Sequence, residues 1–172
     1  MGAMETSVRR VGLPEEAGIA AWYQGSNLAD AYAVCLPAEA VLDPEALARF
    51  MFGGQPRWVG VLMRLRDAMV AAFGLKTARQ MQGAEPARRI GIFKIYSSEA
   101  REIVLGENDR HLDFRVSVLC RADGDATLLL VSTVVHCHNR LGRLYIKLIA
   151  PFHRLVVRST LGRAARSGWR AR

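Results

Sequence analysis

Between Ile90 and His138 the chain alternates apolar and polar residues with a period of two, interrupted at three turn-forming pairs. That pattern reads as an antiparallel β-meander. The strongest turn is Ala122-Asp123-Gly124-Asp125, because Asp-Gly tolerates positive φ at both central positions. Setting Ala122 opposite Asp125 pairs Val118 with Leu129, Val116 with Val131 and Phe114 with Thr133. Turns at Asn108-Asp109 and Ser98-Glu99 then place Leu105 opposite Leu112 and carry the same face back to Ile92, Lys94 and Tyr96. Cross-strand partners share a face, so one side of the sheet is apolar, from Ile103 and Leu105 through Val116 and Val118 to Val131 and Val135. The other side carries Glu102, His111, Asp113, Arg115, Ser117, Ser132 and His136, mixed with leucines and valines.

Upstream, residues 30–36 (DAYAVCL) are β-prone and end at Pro37, which predicts a first strand. Asp43-Pro44-Glu45 opens a helix that stops at Gly53-Gly54, since Asp accepts free backbone N–H groups and Pro at the first helical position loses none. A second helix is expected from Arg57 to Phe73, with Trp58, Leu62, Leu65, Met69 and Phe73 on one face, followed by a loop over 76–88. The last helix runs from Leu141 to Arg166. Its Leu144, Tyr145, Leu148, Phe152, Leu155 and Val156 gather on one side, the expected sheet-facing side, and Arg143, Lys147, Arg154 and Arg158 on another. Pro151 removes one backbone hydrogen bond and should bend this helix. The expected organisation is an arm or loop over 1–27, one α+β domain over 28–166 and a basic tail over 167–172.

Composition narrows the class without naming a reaction. The 172 residues are 51% hydrophobic and 23% charged, suited to one domain with one sizeable core. No apolar run approaches the ~18 residues of a membrane span and no signal pattern opens the chain, so a cytoplasmic protein is expected. Cys35, Cys120 and Cys137 form no CxxC pair and sit in apolar segments, which favours reduced, buried thiols. Charge changes the picture more. The net charge is +8, yet residues 1–125 hold fifteen Lys/Arg against sixteen Asp/Glu, while residues 126–172 hold nine Lys/Arg and no acid. The basic excess therefore belongs to the C-terminal part of the chain, the last helix and the tail.

Several segments carry a family resemblance: Asp30-Ala31-Tyr32; Arg57-Trp58-Val59 with Phe73-Gly74-Leu75-Lys76-Thr77; Leu105 to Arg115 (LGENDRHLDFR); Asn139-Arg140-Leu141-Gly142-Arg143 with Tyr145; and Pro151-Phe152-His153-Arg154. Together they resemble the bacterial domain-of-unknown-function family 2867, which is grouped with the helix-grip folds of START-like (SRPBCC) lipid carriers, plant pathogenesis-related proteins and aromatase/cyclases. The resemblance implies a curved antiparallel sheet wrapped around a long C-terminal helix, with two shorter helices after the first strand. Relatives of that fold commonly hold an apolar ligand between sheet and helix. It implies no activity, because the family has none to transfer.

Four constellations could carry function. A cavity between the apolar face and the last helix would bind a hydrophobic or aromatic small molecule, with Lys94, Tyr96, Thr133 and Tyr145 as polar contacts. An enzyme of the polyketide cyclase/aromatase or hydratase kind would use Lys94, Tyr96 or the Asp113/Arg115 set, a carboxylate or His111/His136 serving as base and Arg115 as oxyanion stabiliser. The plain alternative for that set is a cross-strand ion-pair ladder of Glu102, Asp113 and Arg115 on the wet face. His111, His136 and His138 lack an evident acidic partner beyond Asp109 and Asp113, so no metal is expected. The Arg/Lys stripe suits a weak contact with an anionic membrane surface, and without an aromatic platform beside it nucleic acid is not expected. Leu119, Leu128 and Leu130 on the outer face suggest a partner or a homodimer. No Walker loop, dinucleotide fingerprint, nucleophile elbow or HExxH helix occurs, so no cofactor is expected.

Overall fold

A computed structural model describes residues 7–40, 42–53, 89–91 and 93–169. The second helix expected over residues 57–73, the loop that follows and Ile92 lie outside the described residues. Seven strands form one unclosed antiparallel sheet: β1 (Arg9–Val11), β2 (Leu28–Leu36), β3 (Arg89–Ile90), β4 (Phe93–Ser98), β5 (Glu102–Asn108), β6 (Leu112–Asp123) and β7 (Ala126–Cys137). Their spatial order is β1-β2-β7-β6-β5-β4-β3. The meander is thus contiguous, and β2 adds to its far side by pairing with β7, Asp30 opposite Thr133 and Tyr32 opposite Val131. Helix α1 (Pro44–Gly53) and the long helix α2 (Arg140–Arg166) share the inner face of this curved sheet, the α+β helix-grip-like layout expected. Asp43 caps α1 as predicted, its carboxylate accepting from the N–H groups of Glu45 and Ala46.

The predicted inner face holds for β5, β6 and β7: Ile103, Leu105, Val116, Val118, Leu129 and Val131 all lie in the main core with Met51, Leu161 and Ala164. The pairings themselves shift by an even number of residues. Val118 opposes Val131 rather than Leu129, and Leu105 opposes Val116 rather than Leu112. An even shift leaves every side chain on its face. At the β6–β7 turn Asp123 opposes Ala126 and positive φ falls on Gly124 alone, the pattern of a type II′ turn with Gly at its first central position. Strand β4 differs in kind. Ser98 opposes Ile103 as the turn requires, but a bulge between Ile95 and Ser97 turns the rest of the strand over, so Ile95 faces Leu105 and Lys94 faces Gly106. One extra residue is an odd shift and inverts the face.

Two further expectations are corrected. The outer face is not open: the arm crosses it, burying Ala17 and Ile19 with Trp22 and Tyr23 against Ala33, Val104, Leu119, Leu130 and Val134. Leu119, Leu128 and Leu130, expected as a partner or homodimer surface, are therefore buried within the chain itself. The last helix also faces the other way. Ile146, His153, Val157, Leu161 and Ala164 follow the sheet side, whereas Leu144, Leu148, Phe152 and Leu155 are exposed. Four leucine-like residues outscored a sheet-facing line that includes a Gly, a His, a Thr and two Ala, which is why the apolar pattern pointed to the wrong side. The helix runs through Pro151 without ending. Beyond the end of α2, Trp169 is buried with its ring centroid 6.1 Å from that of Phe50, and its backbone N–H donates to Ala164 O.

Candidate functional site

The four predicted ligand contacts do not converge. Thr133 is buried on the inner face, between Asp30 and Val116 as its cross-strand neighbours. Tyr145, on the first turns of α2, is half-buried against the cluster of Leu28, Leu112, Val135 and Ile146. Lys94 and Tyr96 stand on the outer face, placed there by the β4 bulge; the Tyr96 ring covers Arg115 and its hydroxyl meets Asn108 Oδ1 at 3.2 Å.

The Asp113/Arg115 set is dispersed as well. The Arg115 guanidinium is sandwiched between the rings of Trp22 (4.3 Å) and Tyr96 (3.7 Å), and it donates to Phe114 O at 2.7 Å. A buried cation between two π-faces, with its donors turned to backbone, clamps the arm to the sheet. Asp113 accepts from the Asp109 N–H and faces His138 Nε2 at 3.2 Å. Glu102 is occupied by the Gly18 N–H and the Ser117 hydroxyl, so Glu102, Asp113 and Arg115 form no ion-pair ladder. His136 lies opposite Asp113 and meets Trp22 O through Nε2 at 2.7 Å, while His111 meets Asn139 through Nδ1 at 2.8 Å. Among the described residues no three His, Cys, Asp or Glu side chains are grouped to share a metal ion.

A different group sits where sheet and helix meet. Asp30 projects from β2 onto the inner face, in phase with Tyr32, Val34 and Leu36, and its side chain is only 1% exposed. His153 Nε2 approaches Asp30 Oδ1 at 3.3 Å, and Arg154 Nε stands 3.6 Å from Oδ2, beyond hydrogen-bond reach. Asp30 Oδ2 has no hydrogen-bond partner. A carboxylate on an apolar face is costly unless paired and fully hydrogen-bonded, so this position is held against a penalty that a Val or Thr would not incur. Local order brings the groups together: β2 is locked in register with β7 over nine residues, and α2 is fixed at its start by Asn139, whose Oδ1 accepts from the Gly142 N–H at 3.0 Å. The signal in the sequence was an acid inside an apolar strand. Its face could not be phased there, because the strand that pairs with β2 lies about a hundred residues downstream and no turn connects them.

A family model described as a protein of unknown function, DUF2867, matches residues 22–160. The chain belongs to the DUF2867 family. No curated protein and no solved structure matches it. In this DUF2867 chain the described segments that carried the resemblance meet in pairs. Asp30-Ala31-Tyr32 meets His153-Arg154 through the carboxylate just described. His111 meets Asn139 through its ring and Gly142 through its carbonyl, which a Cβ on Gly142 would approach to 2.3 Å. Both contacts tie α2 to the sheet, one at its start and one at its middle.

Proposed function

We propose that this DUF2867 protein binds a hydrophobic or aromatic small molecule against the inner face of the sheet beneath α2, with Asp30, His153 and Thr133 as its polar contacts. The observation that carries this reading is the buried Asp30 carboxylate, which has one oxygen without a donor. A buried acceptor left unsatisfied costs ~1–3 kcal/mol, more for a charged group. A ligand hydroxyl or amine directed at Oδ2 would remove that cost and fix the ligand's orientation, while the surrounding Val, Leu and Ile side chains supply contact area. The ligand class is therefore an apolar molecule bearing at least one hydrogen-bond donor. The helix-grip-like layout supports the same reading, since that arrangement sets an apolar sheet face under a helix.

The test is native mass spectrometry of freshly purified protein, with 1-naphthol fluorescence as a probe of saturable binding. A non-covalent adduct, or saturable 1-naphthol binding, is expected in the unaltered protein and should be lost in Asp30→Leu. Absence of both an adduct and saturable binding in the unaltered protein would overturn the proposal.

A further inference from the structure

Among the described residues nothing covers the apolar stripe that fails to face the sheet. Leu144, Leu148, Phe152 and Leu155 are 64%, 55%, 44% and 56% exposed. At ~100° per residue, Leu144, Leu148 and Leu155 project within roughly 20° of directly away from the sheet-facing line of Ile146 and Ala164. They recur over three turns of one helix, a contiguous patch rather than scattered exposure, and such patches mark interaction surfaces. Arg140, Arg143, Lys147 and Arg158 are exposed too, and all project to the same flank of the stripe; Arg154 lies on that flank as well but stands 3.6 Å from Asp30 Oδ2. No acid follows Asp125 in the sequence, so nothing on α2 opposes these cations. No described helix is long and apolar enough to cross a membrane.

An apolar stripe bordered by cations, on a helix held flat across a sheet, has the chemistry of an interfacial helix. We propose that α2 docks lengthwise on an anionic lipid bilayer, its Leu144–Leu155 stripe entering the headgroup–acyl boundary and its arginines and lysine pairing with acidic headgroups. The long cationic side chains reach headgroups while their methylene stems extend the apolar contact. Because the sheet fixes the opposite side of the helix, the stripe is presented already folded and binding needs no ordering of the helix backbone.

Cosedimentation with vesicles of phosphatidylcholine, with and without roughly 30 mol% phosphatidylserine, tests this in about 0.1 M salt. The intact protein should pellet with the anionic vesicles and be released at high salt. Leu144→Ser with Leu148→Ser should weaken partitioning about tenfold or more, and Lys147→Glu with Arg158→Glu about 25-fold or more. All four positions touch solvent, so circular dichroism should show unaltered folding. Three results would each overturn the proposal: no pelleting of the intact protein, partitioning indifferent to the serine pair, or a lipid-free dimer in solution that the serine pair dissociates, which would assign the stripe to a second copy.

Discussion

Two glycines of the same helix should respond oppositely to the same substitution. A Cβ on Gly142 would lie 2.3 Å from His111 O and 3.2 Å from His111 C, both backbone atoms. That carbonyl is fixed by the His138 N–H, which donates to it at 2.9 Å. To reach ordinary contact the start of α2 would have to retreat by about 1 Å, disturbing the Asn139 cap and its contact with His111. Overpacking of this kind costs ~1–3 kcal/mol, and against a held backbone the upper end applies. Alanine's helix propensity returns at most ~1 kcal/mol, so Gly142→Ala should lose about 2 kcal/mol, a fall in Tm of roughly 4–8 °C for a chain of this length. Gly162 differs: among the described residues its Cβ would meet the flexible end of Arg166 at 3.3 Å and Val8 at 3.9 Å. Gly162→Ala should raise stability by ~0.5–1 kcal/mol, the propensity gain alone. Urea and thermal unfolding of the two variants, followed by circular dichroism at 222 nm, reads both signs. A Gly142→Ala protein as stable as the unaltered chain would refute the contact between α2 and the β5–β6 connection.

The buried carboxylate gives a second test: His153→Ala should cost about 2–3 kcal/mol in the unaltered protein but under about 1 kcal/mol in an Asp30→Asn background. Equal costs in the two backgrounds, read by urea unfolding, would show that the 3.3 Å contact is not coupled. Arg115→Met keeps the aliphatic stem but loses the guanidinium between Trp22 and Tyr96. It should cost about 2 kcal/mol and expose the arm over residues 7–27 to limited proteolysis; an arm as resistant as before would discount the clamp. Burial pushes the Cys120 thiol up to about 11 from 9.0. Below about pH 8 both folded and unfolded chains keep this proton; above it the unfolded chain releases it first, so stability falls as pH rises, by up to about 1.4 kcal/mol per unit. Cys120→Ala should flatten the stability profile between about pH 9 and pH 10, leaving the smaller slope that the upward-shifted Cys137 contributes.

What was legible in the sequence follows the range over which each cue acts. Alternation and turns are local, so the meander, its inner face and the capped start of α1 were readable, and an error of two or four residues in pairing did no harm because side chains repeat every two. The β4 bulge was not readable, since Ile95, Tyr96 and Ser97 carry no composition that demands one, and it alone moved Lys94 and Tyr96 to the other face. The arm escaped for a different reason. Trp22 and Tyr23 lack any period; Trp22 is held by Arg115, about ninety residues later, and Tyr23 packs against the distant outer-face cluster. Asp30 was visible as a residue and invisible as a site, because its partner strand and its His153 neighbour lie far along the chain.

The misplaced side of α2 links these points to function. Hydrophobicity ranks residues by what they would gain from leaving water, not by which neighbour awaits them. On α2 the strongest apolar residues, Leu144, Leu148, Phe152 and Leu155, face outward, while the sheet side uses Gly142, His153, Thr160 and Ala164. Small and polar residues allow close approach and a buried carboxylate contact; large apolar ones do not. A helix selected only to close the core would reverse that allocation, as its propensity for burial would suggest. The inversion gives one helix two different sides: an inner line that sets α2 against Asp30 and Gly142's backbone neighbour, and an outer stripe whose leucines are exposed, the side on which the proposed lipid contact would be made.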